Sequence, residues 1–193
     1  MEILSYPEAR VPSPLRAQVR ELQDQAWPPA PGPAAPVGAP VHDPVLRPLS
    51  LLLVEEGRVL AALDILSKEI THAGRSYLAG GLSTVVTRRE LRGRGHGRHL
   101  VSAARELMAA RGLDLGLFTC DRPLRPFYES AGWRCLPGAV LVGGTLEAPF
   151  PSDRPGFDKV TMAAFFSAGG RTGEASFHGS RIELHPGETD RLW

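Results

Sequence analysis

Cysteine is scarce in this chain, and long apolar runs are absent from it. Cys120 and Cys135 are the two cysteines among 193 residues, and they form neither a metal-binding spacing nor a disulfide framework. We therefore expect reduced thiols and a cytoplasmic location. No apolar run approaches the ~18 residues that span a membrane. The N-terminus has no basic and apolar signal segment. These absences argue against a secreted or membrane protein.

An excess of one charge is also missing. The 22 basic and 21 acidic residues leave a net charge of +1, so nothing indicates a nucleic-acid partner. The length of 193 residues suits one globular domain, residues 1–193, with a sizeable core.

The first two thirds of the chain show regular patterning. Ser13 followed by Pro14 is a typical helix start, and we expect a helix over residues 14–27. Short β-branched and apolar runs predict strands. These strands cover residues 2–6, 50–54, 59–71, 76–87 and 115–120. The three between residues 50 and 87 are expected to form an antiparallel meander.

The last third is expected to begin with a short helix at residues 123–130. Residues 136–142 and 160–166 are then predicted to pair as a hairpin. A glycine-rich spacer at residues 167–174 and an extra strand at residues 177–184 complete the prediction.

An arginine- and glycine-rich stretch, residues 92–97 (Arg-Gly-Arg-Gly-His-Gly), lies between a predicted strand and a predicted helix. The helix is predicted from apolar residues at helical spacing. These are Leu100, Ala103, Ala104, Leu107 and Met108. Glycines allow close approach of the backbone to a ligand, and a helix start offers free N–H groups to an anion. A pyrophosphate is the simplest ligand, and a plain surface turn is the alternative.

Two known phosphate-binding patterns do not fit this stretch. Gly97 is followed by Arg98 and His99 rather than by lysine and serine or threonine. The glycine spacing also differs from that of a dinucleotide fold. His96 and His99 have no third ligand nearby in the sequence, so no metal site is expected.

The Arg-x-x-Gly-x-Gly pattern of residues 92–97 resembles the acyl-CoA loop of the GCN5-related N-acetyltransferases (GNATs). Residues 125–133, Arg-Pro-Phe-Tyr-Glu-Ser-Ala-Gly-Trp, resemble the second signature of that family. The resemblance covers roughly residues 50–166. It implies an α+β fold with a mixed, mostly antiparallel twisted sheet flanked by helices, in which two central strands splay apart.

The resemblance also implies acetyl-CoA as cosubstrate, without a metal. The pantetheine arm would bind the exposed edge of the strand before the loop, and the pyrophosphate would bind the loop. The residues implied are Val85, Val86, Thr87, Arg92, Gly93, Arg94, Gly95, His96, Gly97 and Arg98.

Acetyl transfer requires a deprotonated amine, a thioester carbonyl polarised by a backbone N–H, and an acid for the leaving thiolate. Tyr128 occupies the acid position of the second signature. The base is left open, since no carboxylate occurs in residues 80–84. Ser83 is a candidate for holding a water in a proton relay. The other candidates are Asp64, Glu69 and the terminal carboxylate of Trp193, and an amine that arrives neutral needs none.

The acceptor is expected at the two segments that flank the core of the domain. Residues 28–48 hold eight prolines and form either a passive linker or an acceptor-side loop, in which Asp43 meets a cationic substrate. The C-terminal extension, residues 167–193, ends in Asp190 and Trp193. This ending is similar to that of the aminoglycoside 2′-N-acetyltransferases, whose tail binds the ammonium groups of the drug. That branch has a glutamate near Ser83 and a tail acid one position closer to its terminal tryptophan.

The sequence therefore predicts an acetyl-CoA-dependent N-acetyltransferase acting on the primary amine of a small molecule, with an aminoglycoside as the leading candidate. A polyamine, an amino acid or a protein N-terminus is an alternative acceptor. A catalytically weak acyl-CoA-binding regulatory module is an alternative function. The family also contains many dimers, so a homodimer is left open.

Overall fold

The computed structural model of the protein describes residues 1–29 and 40–193, which form two β-sheets and four α-helices. The strands are β1 (Glu2–Pro7), β2 (Leu49–Glu55), β3 (Arg58–His72), β4 (Arg75–Thr87), β5 (Leu115–Asp121), β6 (Arg134–Cys135), β7 (Val140–Gly144), β8 (Pro149–Pro151), β9 (Lys159–Phe165) and β10 (Arg181–Glu183). The helices are α1 (Ser13–Ala26), α2 (His96–Ala110), α3 (Arg125–Ser130) and α4 (Ala168–Gly173). Short 3-10 turns occur at Glu8–Arg10, Pro44–Leu46, Arg89–Leu91, Arg122–Leu124 and Glu174–Phe177. None of the helices in the described ranges is both long and apolar enough to cross a bilayer.

The larger sheet has seven strands in the order β1-β2-β3-β4-β5-β9-β6. Strands β1 to β4 pair antiparallel in sequence order, so the predicted meander is confirmed. Helix α2 crosses over from β4 to β5, which pair in parallel, as a connection of that length allows. The predicted fold class, a mixed and mostly antiparallel sheet flanked by helices, is confirmed.

Strands β4 and β5 share only a short stretch of pairing. Ala79 pairs with Leu115 and Gly80 with Gly116, and no further pairs join these two strands in the described residues. Strand β4 nevertheless continues to Thr87 and β5 to Asp121. The edge of β4 after Gly80 therefore carries backbone groups that β5 does not satisfy.

Different elements cover the two faces of this sheet. Helix α2 buries Leu100, Val101, Ala104 and Met108 against one face, together with Tyr128 of α3. Helix α1 covers the N-terminal strands on the other face, with Leu22 packed against Leu52 and Val54. The second sheet, in the order β10-β7-β8, covers the rest of that face. Side chains on one strand alternate between faces, so Ala62, Asp64 and Leu66 of β3 all lie on this second face. Ala62 packs in the apolar cluster that contains Leu22 of α1, and Leu66 packs in the cluster that contains Leu141 and Ile182 of the small sheet.

The predicted hairpin of residues 136–142 and 160–166 is wrong. Strand β7 pairs with β8 and, in parallel, with β10, whereas β9 pairs with β5 and β6. Two apolar runs that follow each other were expected to pair, but an apolar pattern does not specify its partner strand. The short β8 offered no such pattern.

The predicted spacer at residues 167–174 is also wrong. Ser167 caps the N-terminus of α4, with its Oγ accepting a hydrogen bond from Gly170 N at 2.9 Å, and this cap starts a helix despite the glycines. The extra strand predicted for residues 177–184 is reduced to β10. Of the proline-rich residues 28–48, those at 30–39 lie outside the described residues. The organisation of residues 1–193 as one domain stays a prediction.

Candidate active site

The arginine-glycine loop lies where β4 leads into α2. Gly93 and Gly95 have φ of 79° and 86°, in the left-handed region that favours glycine. Gly97 is required for a different reason, because a Cβ built there would lie 2.7 Å from Thr87 Oγ1. The first turn of α2 therefore packs directly onto the end of β4.

The loop is positively charged and exposed. Arg92, Arg94 and Arg98 are exposed, and none of them makes a salt bridge within the described part of the chain. Arg92 Nε donates to the carbonyl of Thr87 at 3.2 Å. The amides of the first helical turn have no intrahelical acceptor, and the helix dipole adds partial positive charge. The half-buried His96 begins the helix.

The free edge of β4 contains an irregularity. The register with β3 shifts so that Ala62 pairs with Val86 but Asp64 pairs with Ser83. Thr84, inside this bulge, has φ of 49°, which is rare and strained for a β-branched residue. Ser83, Thr84, Val85 and Thr87 are half-buried, and Val86 is buried. The bulge in the β3–β4 pairing therefore lies in the segment of β4 that β5 leaves unpaired.

Tyr128 lies on the α2 side of the sheet. Its ring meets Phe118 and Phe127 edge-on, each with ring centroids 4.9 Å apart. Burial raises the pKa of Tyr128, and the nearby Cys120 and Asp121 raise it further. No hydrogen bond joins its hydroxyl to another described residue. The hydroxyl is therefore a protonated donor that no described residue engages.

A buried polar cluster lies on the opposite side of the sheet. His42 Nδ1 is 2.6 Å from Asp190 Oδ1, and its Nε2 is 3.3 Å from Asp64 Oδ2. Asp64 Oδ2 also accepts a hydrogen bond from Thr84 Oγ1 at 2.6 Å, and Ser50 Oγ donates to Asp64 Oδ1 at 2.5 Å. We call these five residues the His42 cluster. Burial by itself lowers the pKa of His42, but the two carboxylates outweigh it and raise this pKa to about 10.

The C-terminal tail, residues 184–193, packs on the sheet where β4 and β5 separate. A Cβ built on Gly81 would lie 2.7 Å from both Trp193 Nε1 and the carbonyl oxygen of Leu117. The indole of Trp193 therefore packs over the glycine that follows the last β4–β5 pair. It is buried, and its N–H has no hydrogen-bond partner in the described ranges. Arg191 lies close against Gly143, where any side chain would overlap its carbonyl.

The structure thus brings several predicted residues to the gap between β4 and β5. Asp190 and Asp64 meet through His42, and Trp193 lies beside them on the same face. Asp190 is buried, and its second oxygen accepts from Asp43 N at 2.9 Å. The Asp43 side chain caps the turn at Pro44–Leu46. Glu69 is exposed further along β3, and Ser83 pairs with Asp64 in the register of β4 with β3, next to the bulge.

Sequence reasoning did not assign a role to His42, Ser50 or Thr84. They are separated along the chain from Asp64 and Asp190, so no spacing signals their contact. No group of three or more His, Cys, Asp or Glu side chains in residues 1–29 and 40–193 has the arrangement of a metal site.

Comparison with known proteins supplies the family. The sequence model of the acetyltransferase (GNAT) domain matches residues 16–136. No curated protein matches the chain in sequence. The fold is similar to Escherichia coli ElaA (TM-score 0.56, 15% identity, 84% of this chain and 99% of that one).

Two further solved structures share the fold. One is an acyl-CoA N-acyltransferase from Pseudomonas aeruginosa (TM-score 0.57, 17% identity, covering 84% of this chain and 97% of that one). The other is an aminoglycoside 6′-N-acetyltransferase complexed with coenzyme A (TM-score 0.59, 16% identity, covering 86% and 98%).

Proposed function

Because this chain belongs to the GNAT acetyltransferase family and is an acyltransferase, we propose that it transfers an acetyl group from acetyl-CoA to the primary amine of a small molecule. The observation that carries the proposal is the open edge of β4, which ends at a glycine loop with three exposed arginines that make no salt bridge in residues 1–29 and 40–193. Tyr128 lies on one side of that edge, and the C-terminal tail lies on the other.

The residues fit a cosubstrate with a pyrophosphate and an extended arm. The pyrophosphate would be held by Arg92, Gly93, Arg94, Gly95, His96, Gly97 and Arg98. The backbone of Val85, Val86 and Thr87 would pair with the arm as an added strand would. When bound, acetyl-CoA supplies the acetyl group as a thioester, and a backbone N–H of the bulge is suited to polarise its carbonyl.

Proton transfer is divided between the two sides of the gap. We assign Tyr128 the role of acid toward the leaving sulfur, because its hydroxyl is protonated and makes no hydrogen bond to the part of the chain that the structure describes. The amine must lose a proton before it attacks. Asp64 is poorly suited as base, since its two oxygens are already engaged by three hydrogen bonds, from His42, Ser50 and Thr84. A water held at Ser83, the terminal carboxylate of Trp193 and the exposed Glu69 of β3 stay the candidates for the base.

A cationic acceptor suits the tail side of the gap. The His42 cluster combines one imidazolium with two carboxylates, so it carries a net charge of about −1. Asp43, Asp190 and Trp193 are the residues that we propose shape this acceptor side. An aminoglycoside is the leading candidate, and the similarity in fold to an aminoglycoside 6′-N-acetyltransferase is in keeping with it. A polyamine, an amino acid and a protein N-terminus remain alternatives.

A binding module without turnover is the second candidate. The observation that favours it is the absence of a carboxylate from residues 80–84 of β4. Such a module would bind acetyl-CoA and release no thiol with any amine. Cytoplasmic location and a homodimer stay predictions.

The test is thiol release from acetyl-CoA with paired aminoglycosides, one with a 2′-amine and the other with a 2′-hydroxyl. We expect release with the amine and none with its hydroxyl counterpart. Gly97→Glu is the matched control, because it places bulk and negative charge at the loop and should remove acetyl-CoA binding. Binding by the wild type without release across a wide panel of amines would refute turnover and favour the module.

A further inference from the structure

The chemistry of the His42 cluster determines the charge of its histidine. Each ring nitrogen of His42 faces a carboxylate oxygen, at 2.6 Å on one side and 3.3 Å on the other. An ionised carboxylate only accepts hydrogen bonds, so both nitrogens must carry a hydrogen. His42 is therefore an imidazolium that bridges Asp190 in the tail and Asp64 in β3.

We propose that His42 and Asp190 are positioning residues, which connect the docked C-terminal tail to the bulge of β4 and so fix the backbone of Thr84 for acetyl transfer. This inference rests on the proposed function. It assigns a role to residues that contact neither a thioester nor the leaving sulfur, and it makes activity depend on a chain of contacts: Asp190 to His42, His42 to Asp64, and Asp64 to Thr84.

The last contact in this chain restrains a strained residue. Thr84 has φ of 49°, a conformation that is strained for a β-branched residue. The hydrogen bond from its Oγ1 to Asp64 at 2.6 Å is a charged one, which is among the stronger kinds. Without that bond the bulge has a reason to relax toward a regular strand.

Asp64 is itself held in place from two further sides. Ser50 of β2 donates to its Oδ1, and the His42 imidazolium contacts Oδ2, the same oxygen that accepts from Thr84. Losing His42 would leave a buried carboxylate with one donor fewer and no neutralising charge, which is costly. Asp64 would then reorient toward other partners, and the orientation of Thr84 would change with it.

The first contact in the chain depends on how the tail is anchored. Asp190 accepts hydrogen bonds from His42 and from the amide of Asp43. Lys68 of β3 donates to the carbonyls of Leu184 and His185 at 2.6 and 3.0 Å, which fixes the start of the tail. The tail is thus docked on the same strand, β3, that carries Asp64.

Two substitutions of Asp190 separate positioning from simple stability. Asp190→Ala removes the contact with His42, whereas Asp190→Asn keeps a polar group there and allows a neutral histidine to remain between hydrogen-bond partners. We expect Asp190→Ala to lower kcat by about tenfold or more, as small misplacements do, with the Kd for acetyl-CoA unchanged within about twofold. Asp190→Asn should lose clearly less kcat than Asp190→Ala, because it keeps hydrogen-bonding atoms for His42 and for the amide of Asp43. Asp153→Ala, which breaks an exposed pair with Arg181, is the control.

A double-mutant cycle tests the connection itself. Thr84→Val keeps the branched shape and removes the donor to Asp64. If one chain of contacts links both sites, the combined variant should lose no more kcat than the worse single variant. Simple multiplication of the two losses would overturn the proposal.

Nuclear magnetic resonance provides a readout that needs no acceptor. In the wild type, both nitrogens of His42 should be protonated at pH 8, and the amide signals of Thr84 and Val85 should move in Asp190→Ala but not in Asp153→Ala. Unmoved amide signals, or a neutral His42 at pH 8, would overturn the inference even if turnover is found. Absence of turnover with every amine would count against the proposed function alone.

Discussion

Replacing Tyr128 with phenylalanine removes a single hydroxyl and leaves the packing of the ring in place. The ring contacts with Phe118 and Phe127 do not involve the oxygen. The hydroxyl makes no hydrogen bond within the described residues, so its loss leaves no protein group unsatisfied. We expect the free energy of unfolding and the Kd for acetyl-CoA to stay within about 0.5 kcal/mol of the wild type, as for substitutions that break no specific contact.

Turnover should respond very differently. A general acid contributes about 10²- to 10⁴-fold to rate, which is about 3–5 kcal/mol of transition-state stabilisation. We therefore expect Tyr128→Phe to lower kcat by about 10²-fold or more. Because burial raises the pKa of Tyr128 above its usual value, the hydroxyl stays protonated throughout the neutral range. The ratio of wild-type to variant kcat should therefore be constant from pH 6 to about 9.

The assay combines steady-state thiol release, calorimetry with acetyl-CoA and urea denaturation. Tyr77→Phe is a matched control, since the Tyr77 hydroxyl also has no hydrogen-bond partner among the described residues. Tyr77 lies near the start of β4, before the pairs with β5, and its ring packs with Phe177. The kcat of this variant should equal that of the wild type. Equal kcat in wild type and Tyr128→Phe would refute the acid role and make Tyr128 a packing residue only.

Four further outcomes are expected. Gly97→Ala should weaken acetyl-CoA binding measured by calorimetry, since its Cβ meets Thr87 Oγ1 at 2.7 Å; unchanged affinity would contradict the loop assignment. The pKa of His42 is raised from its ordinary value of 6.5 to about 10, so the protonated imidazole stabilises the folded state. This stabilisation is fully present below pH 6.5 and is lost as the pH rises through 10. The free energy of unfolding should thus fall by a few kcal/mol from pH 7 to 10, and by much less in His42→Asn; parallel pH curves for the two proteins would be inconsistent with this. Trp193→Ala should destabilise the protein by about 3 kcal/mol in urea denaturation and raise the KM for a polycationic acceptor, and an unchanged KM would exclude the tail from the acceptor site. Tyr77→Phe should raise the melting temperature, because it removes a buried hydroxyl without a partner, a group that costs about 1–3 kcal/mol; a lower melting temperature would show that this hydroxyl has a partner such as water.

The regular elements of the larger sheet were predictable because their signals are local. The strands of the meander are mostly apolar or β-branched, and Ser13 with Pro14 marks the start of α1. The loop was predictable from the glycines themselves, since Gly93 and Gly95 do need a positive φ. Each of these signals lies within a window of a few residues.

The acceptor side was not predictable in the same way. His42, Asp64 and Asp190 meet only because β3 is flanked by α1 and the small sheet, and the small sheet depends on the parallel pairing of β10 with β7. No local pattern specifies that pairing, and the hairpin expected instead was wrong. The contact between Trp193 and Gly81 likewise follows from three-dimensional packing. It explains why β4 has a glycine at this position, which the sequence alone did not indicate.

The small sheet has a consequence for how this protein opens. Strands β8 and β10 have three residues each, and Gly144 of β7 exchanges backbone hydrogen bonds with Gly187 and Arg191 of the tail. Short strands with few backbone bonds exchange their amide hydrogens through local opening, at free energies below that of global unfolding. The amides of β7 and β10 should therefore exchange earlier than those of β3 and β4. In such a partly open form Asp190 would be released from His42, while the glycine loop and α2 would remain folded. The protein would then still bind its cosubstrate while the proposed acceptor side is locally unfolded.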